Sequence, residues 1–169
     1  MDAIGIVGWK NSGKTTVIAK LIPALRERGL SVSTIKHVHH DLDLDEPGKD
    51  TFVHREAGAV DVVMFSQSRW ALLHEIRQPS ATMSDLEDVM GRMTDVDLVL
   101  VEGFKNMPMR RIEVRGDGAK PMQGEAGIKG IIGVVADGAT DPVLPTFSRD
   151  QIDDLAGFIC EVIAMEMVS

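Results

Sequence analysis

The stretch Gly8-Trp9-Lys10-Asn11-Ser12-Gly13-Lys14-Thr15-Thr16 carries the most specific chemistry in the chain. It meets G-x-x-x-x-G-K-[ST] at every fixed position, the spacing with which a glycine loop cradles phosphates. Loop N–H groups and the following helix N-terminus face an anion. Lys14 is expected to reach the β- and γ-phosphates, and the Thr15 hydroxyl to ligate Mg²⁺. All of residues 8–16 are therefore expected nucleotide-binding positions. The motif is short, so its flanks must support it. Ala3-Ile4-Gly5-Ile6-Val7 before it reads as a buried strand. Val17, Ile18, Leu21, Ile22 and Leu25 after it have the spacing of one helix face. Strand, glycine loop and helix form the context that the motif requires.

Magnesium beside a phosphate loop calls for an acidic partner on a neighbouring strand. Two acids flank the apolar run Leu98-Val99-Leu100-Val101, Asp97 before it and Glu102 after it. Five residues of strand separate them by roughly 16 Å. Ligands of open α/β sheets sit beyond the carboxyl ends of the strands. Glu102 is at that end, so it is the expected Mg²⁺ ligand and the one residue expected in a catalytic role. The same rule gathers Gly8, His37, Glu102 and Asp137 on one rim, since each follows a strand.

His37, His39 and His40 with Asp41, Asp43 and Asp45 form a polar run after the second strand. Imidazoles at this spacing suit a transition metal. The preferred reading is a polar, switch-like loop near Mg²⁺ and the γ-phosphate, with Asp41 or Asp50 supporting a metal-bound water. No cysteine stands near to make a structural zinc site.

These groups must be placed by the remaining elements. The first helix is expected over Lys14 to Arg28, with Pro23 inside it and Gly29 as its stop. Strands are expected at 31–36, 60–65, 70–74, 98–101, 111–115 and 131–136. The short link Ser66-Gln67-Ser68-Arg69 favours antiparallel pairing of its neighbours. A helix over 50–57 is expected to close at Gly58. Capping boxes at Ser84-Asp85-Leu86-Glu87 and Ser148-Arg149-Asp150-Gln151 open two further helices. Residues 116–130 hold five glycines and a proline and read as loop. Strands alternating with helices give an α/β fold with a mostly parallel sheet.

With 169 residues, the chain is expected to form one domain. A formal net charge of −8 and the absence of tyrosine argue against a nucleic-acid partner, which needs a basic face or stacking platforms. Cys160 is the sole cysteine, so no intrachain disulfide can form, and its apolar setting reads as core. No apolar run reaches 18 residues and no signal peptide precedes the first strand, so a cytoplasmic protein without a membrane partner is expected.

Five blocks together resemble the MobB-type molybdopterin-guanine dinucleotide biosynthesis proteins. They are G-W-K-N-S-G-K-T-T at 8–16, T-I-K-H-V-H-H-D at 34–41, P-G-K-D-T at 47–51, H-R-E-A-G-A at 54–59 and V-E-G-F-K at 101–105. The likeness covers about the first two-thirds of the chain. It implies a P-loop NTPase-like α/β fold with a mostly parallel, mixed sheet flanked by helices. It implies a GTP- and Mg²⁺-binding accessory protein, at most a weak GTPase. Such a protein assists the guanylyltransferase that joins GMP to molybdopterin, and it forms a homodimer. Molybdopterin is then a further expected ligand. Lys105, Arg110 and Arg111 are expected to contact its phosphate or the partner. No N-K-x-D or T-K-x-D guanine motif is present. The relevant strand ends Val135-Ala136-Asp137-Gly138, so guanine recognition is expected to rest on the family resemblance and the Asp137 carboxylate, which carries part of the choice. Two alternatives stand beside this reading. One is an ATP-dependent small-molecule kinase whose acceptor is held by Lys105, Arg110 and Arg111. The other is a GTPase metallochaperone using the histidine run.

Overall fold

The structure is a computed structural model describing residues 1–38, 44–76, 83–104, 107–122, 128–138 and 140–166. The chain divides into two compact units, one made of Met1–His37 with Met93–Ser169, the other of Val38–Arg92.

The first unit is built on a six-stranded sheet. Its strands are β1 (Asp2–Val7), β2 (Val32–Lys36), β5 (Leu98–Glu102), β6 (Arg110–Val114), β7 (Ile131–Val135) and β8 (Thr146–Phe147), in the order β2-β5-β1-β6-β7-β8. Every neighbouring pair is parallel. Parallel strands need covered faces, and β5 accordingly reads Leu-Val-Leu-Val with all four residues buried. β1 lies in the middle, with Ile6 opposite Glu102 of β5 on one side and Val7 opposite Glu113 of β6 on the other.

Helices α1 (Lys14–Glu27) and α4 (Ile152–Glu166) pack against each other. They close one core of Val17, Leu21, Leu25, Leu155 and Ile159 over Ile4, Ile6, Leu98, Leu100, Ile112 and Val114. Full burial of a Leu or Ile side chain contributes about 1.5–3 kcal/mol. α1 includes Pro23 and ends as expected at Gly29, whose φ of 88° supplies a left-handed turn. Gly29 N–H donates to Arg26 O and Leu30 N–H to Leu25 O, the paired bonds that satisfy the last carbonyls of a helix. A smaller cluster of Val7, Met122 and Ile128, with Ile131 against it, forms a separate core. The capping box before α4 is made in part, with Ser148 N–H donating to Gln151 Oε1 at 2.9 Å. β8 had no forecast from the sequence. Two residues are too few to show a period.

The second unit contains α2 (Asp50–Glu56), the hairpin strands β3 (Asp61–Phe65) and β4 (Trp70–His74), and α3 (Met83–Gly91). β3 and β4 pair antiparallel, as their short link requires. They form a sheet of their own, so the antiparallel part of the expected mixed sheet lies outside the main one, which is wholly parallel. The turn is held by Ser66 Oγ, which donates to Arg69 O at 2.8 Å, and by Ser66 N–H to the same carbonyl at 2.8 Å. Arg55 joins Asp45 at 3.3 Å and Glu75 at 2.9 Å. In α3 Leu86 is buried while Val89 is 42% exposed.

Candidate functional site: a phosphate loop with an arginine clasp

The turn from β1 into α1 has the backbone that a phosphate cradle needs. Gly8 has no room for a side chain. A Cβ there would stand 2.3 Å from Val114 O and 2.5 Å from Ser12 Oγ. Asn11 and Gly13 take positive φ of 62° and 90°, which curls successive N–H groups inward. Gly13 is the N-cap of α1, with no side-chain cap and no acid in the first turn. The positive end of the helix dipole is thus reinforced by Lys14 and offset by no acid in the first turn, an arrangement that favours an anion. Lys14 Nζ donates to Gly8 O at 3.0 Å and Trp9 O at 2.9 Å, which holds it over the loop. Ser12 is buried, and its hydroxyl has no hydrogen-bond partner among the described residues. Trp9 fixes the loop laterally, its indole donating to Lys120 O at 2.8 Å. Lys10, Thr15 and Thr16 are exposed, so the Thr15 hydroxyl is open to a ligand at the head of α1.

Glu102 ends the strand beside β1, with its side chain 16% exposed and 3.9 Å from Lys36 Nζ. Asp97 is at the other end of the same strand. Its Oδ2 accepts from Ser31 N–H at 2.7 Å and Ser31 Oγ at 2.5 Å. Those bonds, the hydroxyl first, hold its pKa below the ordinary value. The assignment of opposite ends to the two acids is therefore met, and Asp97 is a structural acid. A hydroxyl at Thr15 and a carboxylate at Glu102 are hard oxygen donors of the kind that suits Mg²⁺.

After Glu102 the backbone turns sharply, Gly103 at φ 103° and Phe104 at φ 50°. A Cβ on Gly103 would stand 2.9 Å from His37 Cβ, so glycine allows the two strand ends to meet. His37 N–H donates to Glu102 O at 2.8 Å, and its ring stacks on Phe104 with centroids 4.5 Å apart. His37 is thus at the rim. His39, His40 and Asp41 of the switch-like loop, and Lys105, lie outside the described residues. Asp50 opens α2 in the second unit and is exposed. Among the described residues no three His, Cys, Asp or Glu side chains group as a metal site.

Two basic residues read as ligand contacts are placed differently. Arg111 is fully buried. Its guanidinium donates to the carbonyls of Met109, Phe104, Met107 and Lys129. Arg110 donates from Nη1 to Val162 O at 2.8 Å and is half-buried. The reason is burial: Arg111, Ile112, Glu113 and Val114 are consecutive and all buried, so both faces of β6 are covered, and a charged side chain there must find partners inside. Burial pushes the Arg111 pKa down.

The same strand carries a buried acid that no sequence motif marks. Glu113 is fully buried, accepting from Met122 N–H at 2.7 Å and from Arg115 Nη2 at 2.9 Å. Arg115 also joins Asp141 at 2.8 Å. The sequence signal was alternation, Arg111 and Glu113 with Ile112 and Val114 between them, which reads equally well as a half-exposed strand. Arg149 carries no such mark either; in the sequence it belongs only to the start of a helix. Its backbone N–H donates to Asp137 Oδ1 at 3.0 Å, and its Nη1 to Asp137 Oδ2. Its Nη2 donates to Ser12 O at 3.0 Å and Arg115 O at 2.7 Å. These bonds, that of the Arg149 backbone first, hold the Asp137 pKa down, with a smaller push from the charge of Lys20.

A wholly parallel sheet, a glycine loop between its central strand and a helix, and an acid ending the adjacent strand define a P-loop NTPase-like protein. The model of the family described as molybdopterin guanine dinucleotide synthesis protein B, MobB, matches residues 3–137. The chain belongs to this MobB family. It is 38% identical over 161 residues to the molybdopterin-guanine dinucleotide biosynthesis adapter protein of Escherichia coli (strain K12), covering 94% of this chain and 91% of that one. It is 42% identical over 120 residues to the adapter protein of Haemophilus influenzae (strain ATCC 51907 / DSM 11121 / KW20 / Rd), covering 70% and 66%. A crystal structure of molybdopterin-guanine biosynthesis protein B superposes with a TM-score of 0.73 at 32% identity, over 96% of this chain and 99% of that one. The resemblance read from the five sequence blocks is met.

Proposed function

We propose that this chain is a GTP-binding accessory protein of molybdenum cofactor maturation, serving the guanylyltransferase that attaches GMP to molybdopterin. One observation carries the reading. An intact phosphate cradle occurs in a chain that is alike, along 94% of its length, to a protein named an adapter of molybdopterin-guanine dinucleotide biosynthesis. In this reading residues 8–16 hold the triphosphate of GTP, and Thr15 with Glu102 hold Mg²⁺, which supplies charge neutralisation there. Asp137 accepts from guanine N1–H and N2–H₂. His37 lines the rim, and the protein acts as a homodimer in the cytoplasm, with GTP turnover slow or absent. Among the described residues no helix is long and apolar enough to cross a membrane. Molybdopterin contact is left to Lys105 and to the partner enzyme, because Arg110 and Arg111 are committed to backbone carbonyls. The kinase alternative loses two of its three acceptor-holding residues for the same reason.

Co-purification with the guanylyltransferase, with and without Mg-GTP, tests the accessory role. A complex that strengthens with Mg-GTP is the expected result, and no association in either condition would end the reading. Glu102→Gln tests the cation site, because it keeps shape and removes the charge that a hard cation prefers. In a Mg²⁺ titration of GTP affinity it should shift the dependence, and Asp97→Asn should not. An equal or larger shift from Asp97→Asn would refute the assignment of Glu102. Metal analysis of chelator-free protein addresses the metallochaperone alternative, which requires one transition metal per chain.

A further inference from the structure

We infer that Arg149 is the brace that positions Asp137 beside the phosphate loop, and so sets the preference of the site for guanine. The inference rests on the GTP-binding reading above. β7 runs out as Val135-Ala136-Asp137-Gly138, with no lysine ahead of the acid to steady it. The steadying group arrives instead from the turn before α4. A single guanidinium spans the ends of three strands. It meets the carboxylate after β7 at Asp137, the carbonyl after β6 at Arg115, and the carbonyl of Ser12 inside the loop after β1. Its Nε lies 3.4 Å from where a Cβ on Gly13 would stand, so it rests directly against the helix N-cap.

A lone exposed ion pair would fix little, because two free side chains must be ordered to make it. Here the guanidinium is held by two backbone carbonyls, and the Arg149 backbone N–H engages the other carboxylate oxygen. Asp137 is therefore gripped at both oxygens while its side chain is 48% exposed. A carboxylate has about four lone-pair sites, and two are used. With the side chain 48% exposed, the remaining two are open to the two adjacent donors of guanine. The ordering of Asp137 is met by folding rather than by ligand binding, which strengthens binding of the matching base. The positive charge of Arg149 also offsets that of a carboxylate standing near a triphosphate. Adenine presents an acceptor where guanine presents N1–H, so a fixed carboxylate repels it, whereas a loose one swings away.

The test compares Mg-GTP, Mg-ITP, Mg-ATP and Mg-tripolyphosphate by calorimetry on the full chain. Arg149→Gln should lower the GTP-over-ATP affinity ratio about tenfold, the scale of one charge-assisted hydrogen bond. Tripolyphosphate affinity should fall much less. Arg149→Lys keeps charge but cannot span three acceptors, so it should give an intermediate ratio. In an Asp137→Asn background, Arg149→Gln should not change the ratio further. Equal losses for all four ligands would show that Arg149 only anchors the loop and would overturn the inference, as would an unchanged ratio. Should circular dichroism show Arg149→Gln unfolded, Arg149→Lys decides by the same criterion. Wild-type protein that binds ATP as well as GTP overturns the GTP-binding reading and this inference together. Wild-type preference for GTP that survives in both variants overturns the inference alone.

Discussion

β5 of the main sheet and the β3–β4 hairpin are both written in large apolar residues, and they fare differently. In β5 Leu98, Val99, Leu100 and Val101 are fully buried. In the hairpin Val63, Phe65 and Trp70 are 58%, 82% and 57% exposed, with Phe65 paired to Trp70 across the strands. The neighbours account for the contrast. β5 has a strand on each side and the core of α1 and α4 on one face. Among the described residues the hairpin has only itself in its sheet, and α2 contributes no buried residue. An apolar strand is thus a statement about capacity, and the elements around it decide how much burial is realised.

The sharpest way to break this contrast is to remove the same kind of atoms in the two places. Leu100→Ala, in the main core, should cost about 2–5 kcal/mol, read as a lower midpoint in urea. A cost under about 1 kcal/mol would mean that the core is looser than its burial implies.

Acid offers a second, smaller separation. Asp97, Asp137 and Asp141 of the main unit, and Asp45 of the other, all titrate below the ordinary value of 3.8. For Asp141 the first cause is the Val143 backbone N–H, followed by Arg115. A carboxylate with a lowered folded pKa binds its proton more readily when unfolded. Its contribution is fully present above the ordinary value and drains away as pH falls through the folded one. The melting temperature should therefore fall from about pH 4 downward, and Asp141→Asn should flatten that fall. A melting temperature that holds to pH 2.5 would contradict the hydrogen bonds assigned to these groups.

The smallest effect belongs to the hairpin. Phe65→Ser removes a large ring that is 82% exposed, and the urea midpoint should move by no more than about 0.5 kcal/mol. A loss near that of Leu100→Ala would show that something covers this face.

The same contrast marks what could be read from residues alone. Strand and helix identities followed from period and punctuation, and the P-loop from its spacing. The choice of Glu102 over Asp97 followed from one topological rule, because the two acids bracket one continuous strand, Asp97 just before its start and Glu102 at its end. Arg149 had no such route. Its acceptors at Ser12 and Asp137 lie 137 and 12 residues away, and no short pattern links them. Arg110 and Arg111 misled for a related reason. Local charge suggested a surface, while the covered faces of β6 bury Arg111, and Arg110 is turned onto Val162 O. β8 is two residues long and exists only because β7 offers it an edge.

The clasp between Asp97 and Ser31 has a consequence at a distance. Leu98 N–H donates to Ser31 O at 3.1 Å, and Asp2 N–H donates to Asp97 O at 3.2 Å. Three strands therefore start from a common origin. From there β2 and β5 run abreast, Val32 beside Leu98 through to Lys36 beside Glu102, and β1 keeps step as far as Ile6 beside Glu102. With about 3.3 Å of rise per residue, the far ends arrive level roughly 16 Å away. The clasp works as the zero mark of a ruler whose other end is the rim of the phosphate loop. One residue inserted between Val32 and Lys36 would leave the zero mark intact, carry His37 about 3.3 Å past Glu102 and turn its side chain to the opposite face of the sheet.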